Sequence, residues 1–596
     1  MKKSGKHKNA GQRPDPLAPL LAQALGAHQQ GQLAQAEQIY THILQQQATH
    51  FDALHFCGVL HMQSNRAESG VALIERALQQ RESADALTNL ANGLLRLKRH
   101  ADALQRLDRA LALEPRQPAA HTNRGVALAA LDRHEEAAAA YRKALQYQPV
   151  FPEALNNLGN ALRALERYDE AIAALDQALQ QRPGYAEALN NRGLALAARK
   201  DYSAALDSYA QALASRPRYA EALNNRGNVF KDLLRFDEAQ QSYDAALAID
   251  PNYAEARYNR GNNLGAQNRH IEALQDYALA LQLQPAHADA NWNTALSQLL
   301  LGDFTAGFQH YEWRWRLKHA EARRHFDCPE WTGKQALTDR HIIVWAEQGL
   351  GDTLQFCRLL QGLVERGARV TFEVQPALKR LLSRLPQITV FARGDTAPAA
   401  DFHCPLLSLP ARLALTPDAL PFATRYLAAT ECERADWLPR LPAAPLRIGL
   451  CCSGNPRLAN DHNRSVALAR FGALAGEGRQ LILMQKDLRA SDEAVLNDLS
   501  ILDLRKDLHD FCDTAAALSH CDLLISVDTS VAHLAGAIGI PTWILLPFAP
   551  DWRWQLQRND SPWYPGARLF RQPAPGAWDA VFAQVSAALA DLPHHA

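Results

Sequence analysis

Two patterns of apolar and polar positions divide the chain. In the first half, small residues return with a fixed period. Prolines stand at Pro115, Pro149, Pro183, Pro217, Pro251 and Pro285, each 34 residues after the last. Ten residues after each of the first five is a glycine (Gly125, Gly159, Gly193, Gly227, Gly261), and 22 after is an alanine (Ala137, Ala171, Ala205, Ala239, Ala273). Small side chains at those offsets let two helices of a hairpin approach closely. Proline, tolerated at a helix start and not inside, closes one hairpin and opens the next. Degenerate copies begin at Arg81, Ala48 and Pro14, with Ala103 and Ala36 still in place, and a last unit runs from Pro285 to about Lys318.

The second half reads differently. The apolar runs HIIVWA, RVTFEV, LRIGLCCSG, QLILMQ, SILDL, LLISVD and TWILLP are predicted strands, and DTLQFCRLLQGLVERG and SVAHLAGAIG are predicted helices. Strand and helix in alternation, with buried β-rich strands, predict parallel sheets covered by helices on both faces. The expected organisation is an α-solenoid over 14–318, a linker over 319–336, and two Rossmann-like α/β lobes over 337–443 and 444–596 with a cleft between them. All eleven tryptophans fall between Trp292 and Trp578, which marks the same change of fold.

Composition narrows the function classes. The 596 residues carry 63 basic and 63 acidic side chains, a balance that argues against nucleic acid or a membrane surface as main partner. Nine cysteines without a C-x-x-C pair suit neither a disulfide framework nor a zinc site, so a reducing compartment, the cytoplasm, is expected. Residues 1–13 are basic, with no acid and no apolar core behind them, and are expected to form a disordered tail rather than a signal peptide. The uncharged run Leu534 to Pro550 contains Gly536, Gly539, Pro541, Pro547 and Pro550, which fits helix, turn and buried strand better than a membrane span.

A 34-residue unit with small residues at fixed offsets and a terminal proline, as in PEALNNLGNALRALERYDEAIAALDQALQQRP, resembles the tetratricopeptide repeat family over about nine units. The resemblance implies a stacked array whose concave groove binds a partner. Eight residues after each frame start lies an asparagine: Asn89, Asn123, Asn157, Asn191, Asn225, Asn259 and Asn293. A row of amides can donate to and accept from the backbone of an extended polypeptide without reading its sequence. The alternative is that asparagine serves the repeat structure itself. The row resembles that of the O-GlcNAc transferase superhelix, where it grips acceptor polypeptide.

Two predicted strand-to-helix turns carry polar groups where ligands of parallel sheets bind. AEQGLGDT, 346–353, places Gly349 and Gly351 for a tight turn and a close backbone approach to a bound donor, and Asp352 at the helix entrance, where it is either a cap or a reactive carboxylate. VDTSVAHLAGA, 527–537, offers Asp528, Thr529, Ser530 and free backbone N–H groups to a phosphate, with His533 about one turn on. Together, in this order, the turns resemble those of the glycosyltransferase family 9 heptosyltransferases, which have the GT-B fold. That resemblance implies an inverting glycosyltransferase in which Asp352 is the general base and Asp528, Thr529, Ser530 and His533 hold a nucleotide-diphosphate sugar, the donor substrate. It further implies a basic residue after the loop opening the C-terminal lobe, with Arg464 first and Arg457 second, and nucleoside contacts from Gln485 and Lys486. A helix N-terminus is expected to keep the pKa of Asp352 low, and burial on lobe closure to raise it. No D-x-D triplet occurs between 319 and 596, so no metal and no cofactor are expected. The block 551–572 departs from the family, and its Trp552, Trp554, Trp563 and Tyr564 either stack on a ligand or pack the segment crossing between the lobes. The rival function is a repeat scaffold with a non-catalytic nucleotide-binding domain, and a lipid or saccharide acceptor is the other alternative to protein.

Overall fold

A computed structural model describes residues 16–417, 420, 425–456 and 461–592. The predicted N-terminal tail lies outside the described residues. The chain forms two compact units, Met1–Pro251 and Asn252–Ala596.

Unit one is a run of antiparallel helix pairs, from Ala18–Gln29 with Leu33–Gln46 to Ala220–Asp232 with Phe236–Ile249. The periodic glycines and alanines act as expected. A Cβ at Gly193 would lie 2.5 Å from the Tyr209 ring, and one at Gly227 would lie 2.6 Å from Tyr243, each on the second helix of the same pair. Ala137, Ala171, Ala205 and Ala239 have no exposed surface. The 34-residue proline series does half of what was predicted. Pro115, Pro149, Pro183 and Pro217 stand just past helices ending at Leu113, Tyr147, Gln181 and Ser215, where proline stops a helix. The next helix is opened by a proline only at Pro118 and Pro152.

Unit two begins with two more pairs, Ala254–Ala266 with His270–Leu283 and Ala288–Leu300 with Phe304–Tyr311. Among the described residues ten strands follow: β1 (His341–Trp345), β2 (Arg369–Val374), β3 (Ile388–Ala392), β4 (Phe402–Pro405), β5 (Leu446–Cys451), β6 (Arg479–Leu483), β7 (Ile501–Asp503), β8 (Leu523–Val527), β9 (Thr542–Leu546) and β10 (Ala567–Arg571). They make a four-stranded parallel sheet, β3-β2-β1-β4, and a six-stranded parallel sheet, β10-β9-β8-β5-β6-β7. β1, β8 and β9 are buried along their whole length, which is why they read as unbroken apolar runs. The order reverses at β1 in the first sheet and at β5 in the second, so the loops after β1, β5 and β8 gather where ligands of such sheets bind. The run Leu534–Pro550 is the end of helix Ser530–Ile538, a left-handed Gly539, and β9. Among the described residues no helix is long and apolar enough to cross a membrane.

One continuous core joins the last helix pair to both sheets. Phe304 stacks on Trp563 with ring centroids 5.5 Å apart, Phe308 meets Trp552 at 5.6 Å, and Phe356 meets Trp563 at 5.5 Å. Trp552, Trp554, Trp563 and Tyr564 are buried, so the block 551–572 packs rather than offering rings to solvent. A buried ion pair reinforces this joint: Arg314 donates to both carboxylate oxygens of Glu347 at 2.8 and 2.9 Å and to Ser408 at 2.8 Å. The predicted linker is no free tether. Trp331 is buried, its N–H donates to the His403 carbonyl, and the His403 N–H donates to Pro329, so the segment pairs with β4.

Candidate functional site

The first turn leaves β1 and enters the helix Leu350–Phe356. Gly349 is the extended N-cap residue, and its N–H donates to Asp352 Oδ2 at 2.8 Å, so the carboxylate caps the helix from its third position. The other oxygen, Oδ1, accepts from the Arg553 guanidinium. Burial pushes the Asp352 carboxyl above its usual range while Arg553 pulls it down. The low value expected from the helix terminus is therefore reversed by desolvation.

The second turn leaves β8. Thr529 is the extended N-cap of helix Ser530–Ile538, and its hydroxyl lies 3.2 Å from Ser526 Oγ and 3.4 Å from Cys451 Sγ. His533 is buried, stacked on Trp554 with centroids 5.5 Å apart, with Nδ1 2.9 Å from the Tyr564 hydroxyl. Its Nε2 lies 3.8 Å from Asp528 Oδ1. Burial, then Arg553, Arg358 and Arg464, hold the imidazole well below its usual pKa, so it is neutral. Burial, then the Asp551 carboxylate, raise Asp528 to about 6.

These turns, some 180 residues apart in sequence, meet. A Cβ at Gly351 would stand 2.8 Å from His533 Cδ2 and 3.5 Å from Ser530 Cα. Only glycine allows the two helix entrances this approach, which joins the first sheet's loop to the second sheet's.

The remaining predicted donor residues divide. Arg464 donates from Nη1 to the Asp528 carbonyl at 3.1 Å and from Nε to Asp461 at 3.2 Å, so it is held at the second turn. Gln485 is buried. Its Oε1 accepts from the N–H groups of Cys452 and Ser453 at 3.0 Å each, and its Nε2 donates to Ser453 Oγ and the Asp487 carbonyl. It pins the loop after β5 from behind. Lys486 is exposed, 3.4 Å from the His509 carbonyl. Arg457 lies outside the described residues.

Sequence reasoning missed Arg553. It weighed the aromatic residues of the DWRWQ segment and passed over the arginine between them. Arg553 is buried and donates to Asp352, to Asp551 Oδ1 at 2.9 Å and to Gln355 Oε1 at 2.6 Å. Arg358, also buried, links its segment to the second lobe through the Trp563 carbonyl at 2.8 Å and donates to the Tyr426 hydroxyl at 2.8 Å within the first. The signal for both was present: an arginine inside an apolar run, as Arg358 in FCRLL, or between tryptophans, as Arg553 in DWRWQ, has to find buried acceptors.

The periodic asparagines are described unit by unit. In unit one Asn191 donates to Asn156 at 2.9 Å and Asn225 donates to Asn190 at 3.0 Å, each reaching the preceding repeat. Asn157 accepts from Asn156 at 3.3 Å, Asn89 lies 2.9 Å from His55 Nε2, and Asn123 is half-buried. In unit two Asn259 is buried and Asn293 donates to Asn262 at 2.7 Å. Much of this hydrogen-bonding capacity ties one repeat to the next.

Comparison with known proteins agrees with the helical half. Models of the tetratricopeptide repeat match residues 88–154, 151–218, 220–253 and 258–312. The chain is 27% identical over 330 residues to protein FlbA of Caulobacter vibrioides, an alignment covering 49% of this chain and 54% of that protein. It thus spans about half the length of this curated relative. Among solved structures, a tetratricopeptide repeat protein from Parabacteroides merdae is 18% identical, covering 42% of this chain and 98% of its own, with a TM-score of 0.38. A thermophilic tetratricopeptide protein of Thermus thermophilus is 27% identical, covering 31% and 100%, with a TM-score of 0.29. The helical first half of the chain, with its 34-residue period, small-residue offsets and matching repeat models, is a tetratricopeptide-repeat array.

Proposed function

We propose that unit two transfers a sugar from a nucleotide-diphosphate donor to an acceptor, and that the repeats recruit that acceptor, a protein, in a reducing cytoplasmic compartment. The observation that carries this reading is the meeting of the two turns at Gly351 and His533. It brings a half-buried carboxylate, a helix N-terminus bearing Thr529 and Ser530, and Arg464 to one place at the carboxyl ends of parallel strands. Counted from β5, the six-stranded sheet has the order 3-2-1-4-5-6, the doubly wound order that binds nucleotides at its switch point, which supports a pair of Rossmann-like lobes of the GT-B kind.

In the reaction, Asp352 takes the proton of the acceptor hydroxyl as its oxygen attacks the anomeric carbon. The bond from that carbon to the diphosphate oxygen breaks, and its electrons leave with the nucleoside diphosphate. The N–H groups of the helix starting at Ser530, together with Arg464, stabilise the growing charge. His533, neutral and clamped between Trp554 and Tyr564, shapes this site rather than supplying charge. Asp352→Asn keeps the cap and removes the base. Transfer from a radiolabelled nucleotide sugar should fall about 10²–10⁴-fold, and near-normal transfer would remove Asp352 from the reaction.

A further inference from the structure

Arg553 holds more than a structural position. Its guanidinium bonds Asp352 from the first lobe and Asp551 from its own segment, and its Nε–H goes to Gln355. It is buried and lies over Trp552, 4.5 Å from the ring centroid. With Gly349 N–H on one oxygen of Asp352 and Arg553 on the other, both oxygens of the proposed base are engaged at rest. An acceptor hydroxyl has to displace one of these donors to reach the carboxylate. Asp352, Asp528 and Asp551 face Arg553, Arg464 and Arg358 around a neutral His533, but Arg464 is already shared with Asp461, and Arg358 donates to the Trp563 carbonyl and the Tyr426 hydroxyl. A diphosphate entering here carries at least two negative charges and needs a guanidinium.

We propose that Arg553 is a positioning residue with two alternative partners: it locks Asp352 in the empty enzyme and passes to the diphosphate when the donor binds, which frees Asp352 to take the acceptor proton. The inference rests on the glycosyl-transfer reading and adds to it a coupling between donor binding and the readiness of the base. No bond is made or broken in this step; one ion pair is exchanged for another. The exchange also withholds an active base from water until the donor is seated.

The coupling is read by calorimetry on the full chain. The probes are uridine, guanosine, adenosine and cytidine diphosphates and inorganic pyrophosphate. If Asp352 and the diphosphate compete for Arg553, Asp352→Asn tightens binding of whichever diphosphate the wild type takes, by about tenfold or more, although the same variant loses transfer. Arg553→Gln weakens binding by a similar factor. In the double variant the gain from Asp352→Asn disappears, because it runs through Arg553. Arg553→Lys keeps the charge in the buried pocket and serves as the second background if the glutamine variant does not fold. Unchanged or weaker binding by Asp352→Asn, or an equal gain with and without Arg553, makes the arginine a fixed clamp and overturns the proposal. Failure of all five probes to bind wild type and variants overturns the donor site itself, and the exchange with it.

Discussion

Gly351→Ala tests whether the two turns pack as described. The added methyl would sit 2.8 Å from His533 Cδ2, where ordinary contacts begin at 3.4 Å, so something has to give by about half an ångström. The imidazole cannot swing away, because Trp554 covers its face and Tyr564 holds Nδ1 at 2.9 Å. The next neighbour is backbone, Ser530 Cα at 3.5 Å. The helices Leu350–Phe356 and Ser530–Ile538 therefore have to separate, and overpacking of this kind costs about 1–3 kcal/mol, against less than about 1 kcal/mol returned by the helix preference of alanine. A fall of a few degrees in melting temperature is expected for a unit of this size. All eleven tryptophans lie between Trp292 and Trp578, so tryptophan fluorescence reads unit two alone, while far-ultraviolet circular dichroism also reads the repeat helices of unit one. Gly362→Ala is the control, since its Cβ would meet nothing closer than 3.5 Å. If both variants melt with the wild type, the close approach of the turns is refuted.

Two further outcomes are expected. Arg314→Met leaves the buried Glu347 carboxylate without its cation and should destabilise unit two by about 3–5 kcal/mol in urea titrations, whereas adding Glu347→Leu should recover most of the loss; equal stability of the single and double variants would contradict the pairing. Asp528, raised to about 6 when folded, holds its proton in the native state up to about pH 6. Its contribution is therefore fully present below the unfolded pKa and is lost as pH rises through 6, so the stability of Asp528→Asn relative to wild type should grow between pH 4 and 6, by about 1–3 kcal/mol. A flat difference would show that Asp528 ionises normally.

Much of this molecule was legible because its physics is local or periodic. The 34-residue period fixed the helix pairs, since each glycine faces the large residue 16 positions on, as Gly193 faces Tyr209. Strands buried on both faces, β1, β8 and β9, announced themselves as unbroken apolar runs. β3, β4 and β10 did not, because Thr389, His403 and Arg568 interrupt them and their neighbours supply the burial. The glycine and aspartate of the first turn and the hydroxyls and histidine of the second stand out by motif chemistry alone. Their contact at Gly351 and His533 depends on how two sheets face each other, which no local pattern encodes. Arg553 was hidden for the same reason: its partner Asp352 lies 201 residues earlier in the chain. The asparagines show the limit of a periodic signal, which marks a position as repeated without saying whether its amide serves a ligand or, as with Asn225 and Asn190, the next repeat.

The most direct measurement is donor binding and turnover by the purified full chain against a panel of nucleotide sugars, with wild type and His533→Ala in parallel. Removing the clamped ring opens a gap between the Gly351 and Ser530 backbones and lets the site collapse. At least one nucleotide sugar should bind wild type and be slowly hydrolysed, and His533→Ala should bind it at least several-fold more weakly while its repeat helices keep their circular dichroism. Absence of binding and hydrolysis with every nucleotide sugar would leave a repeat scaffold with a silent α/β unit, and equal affinity of the two proteins for one that does bind would put the diphosphate elsewhere.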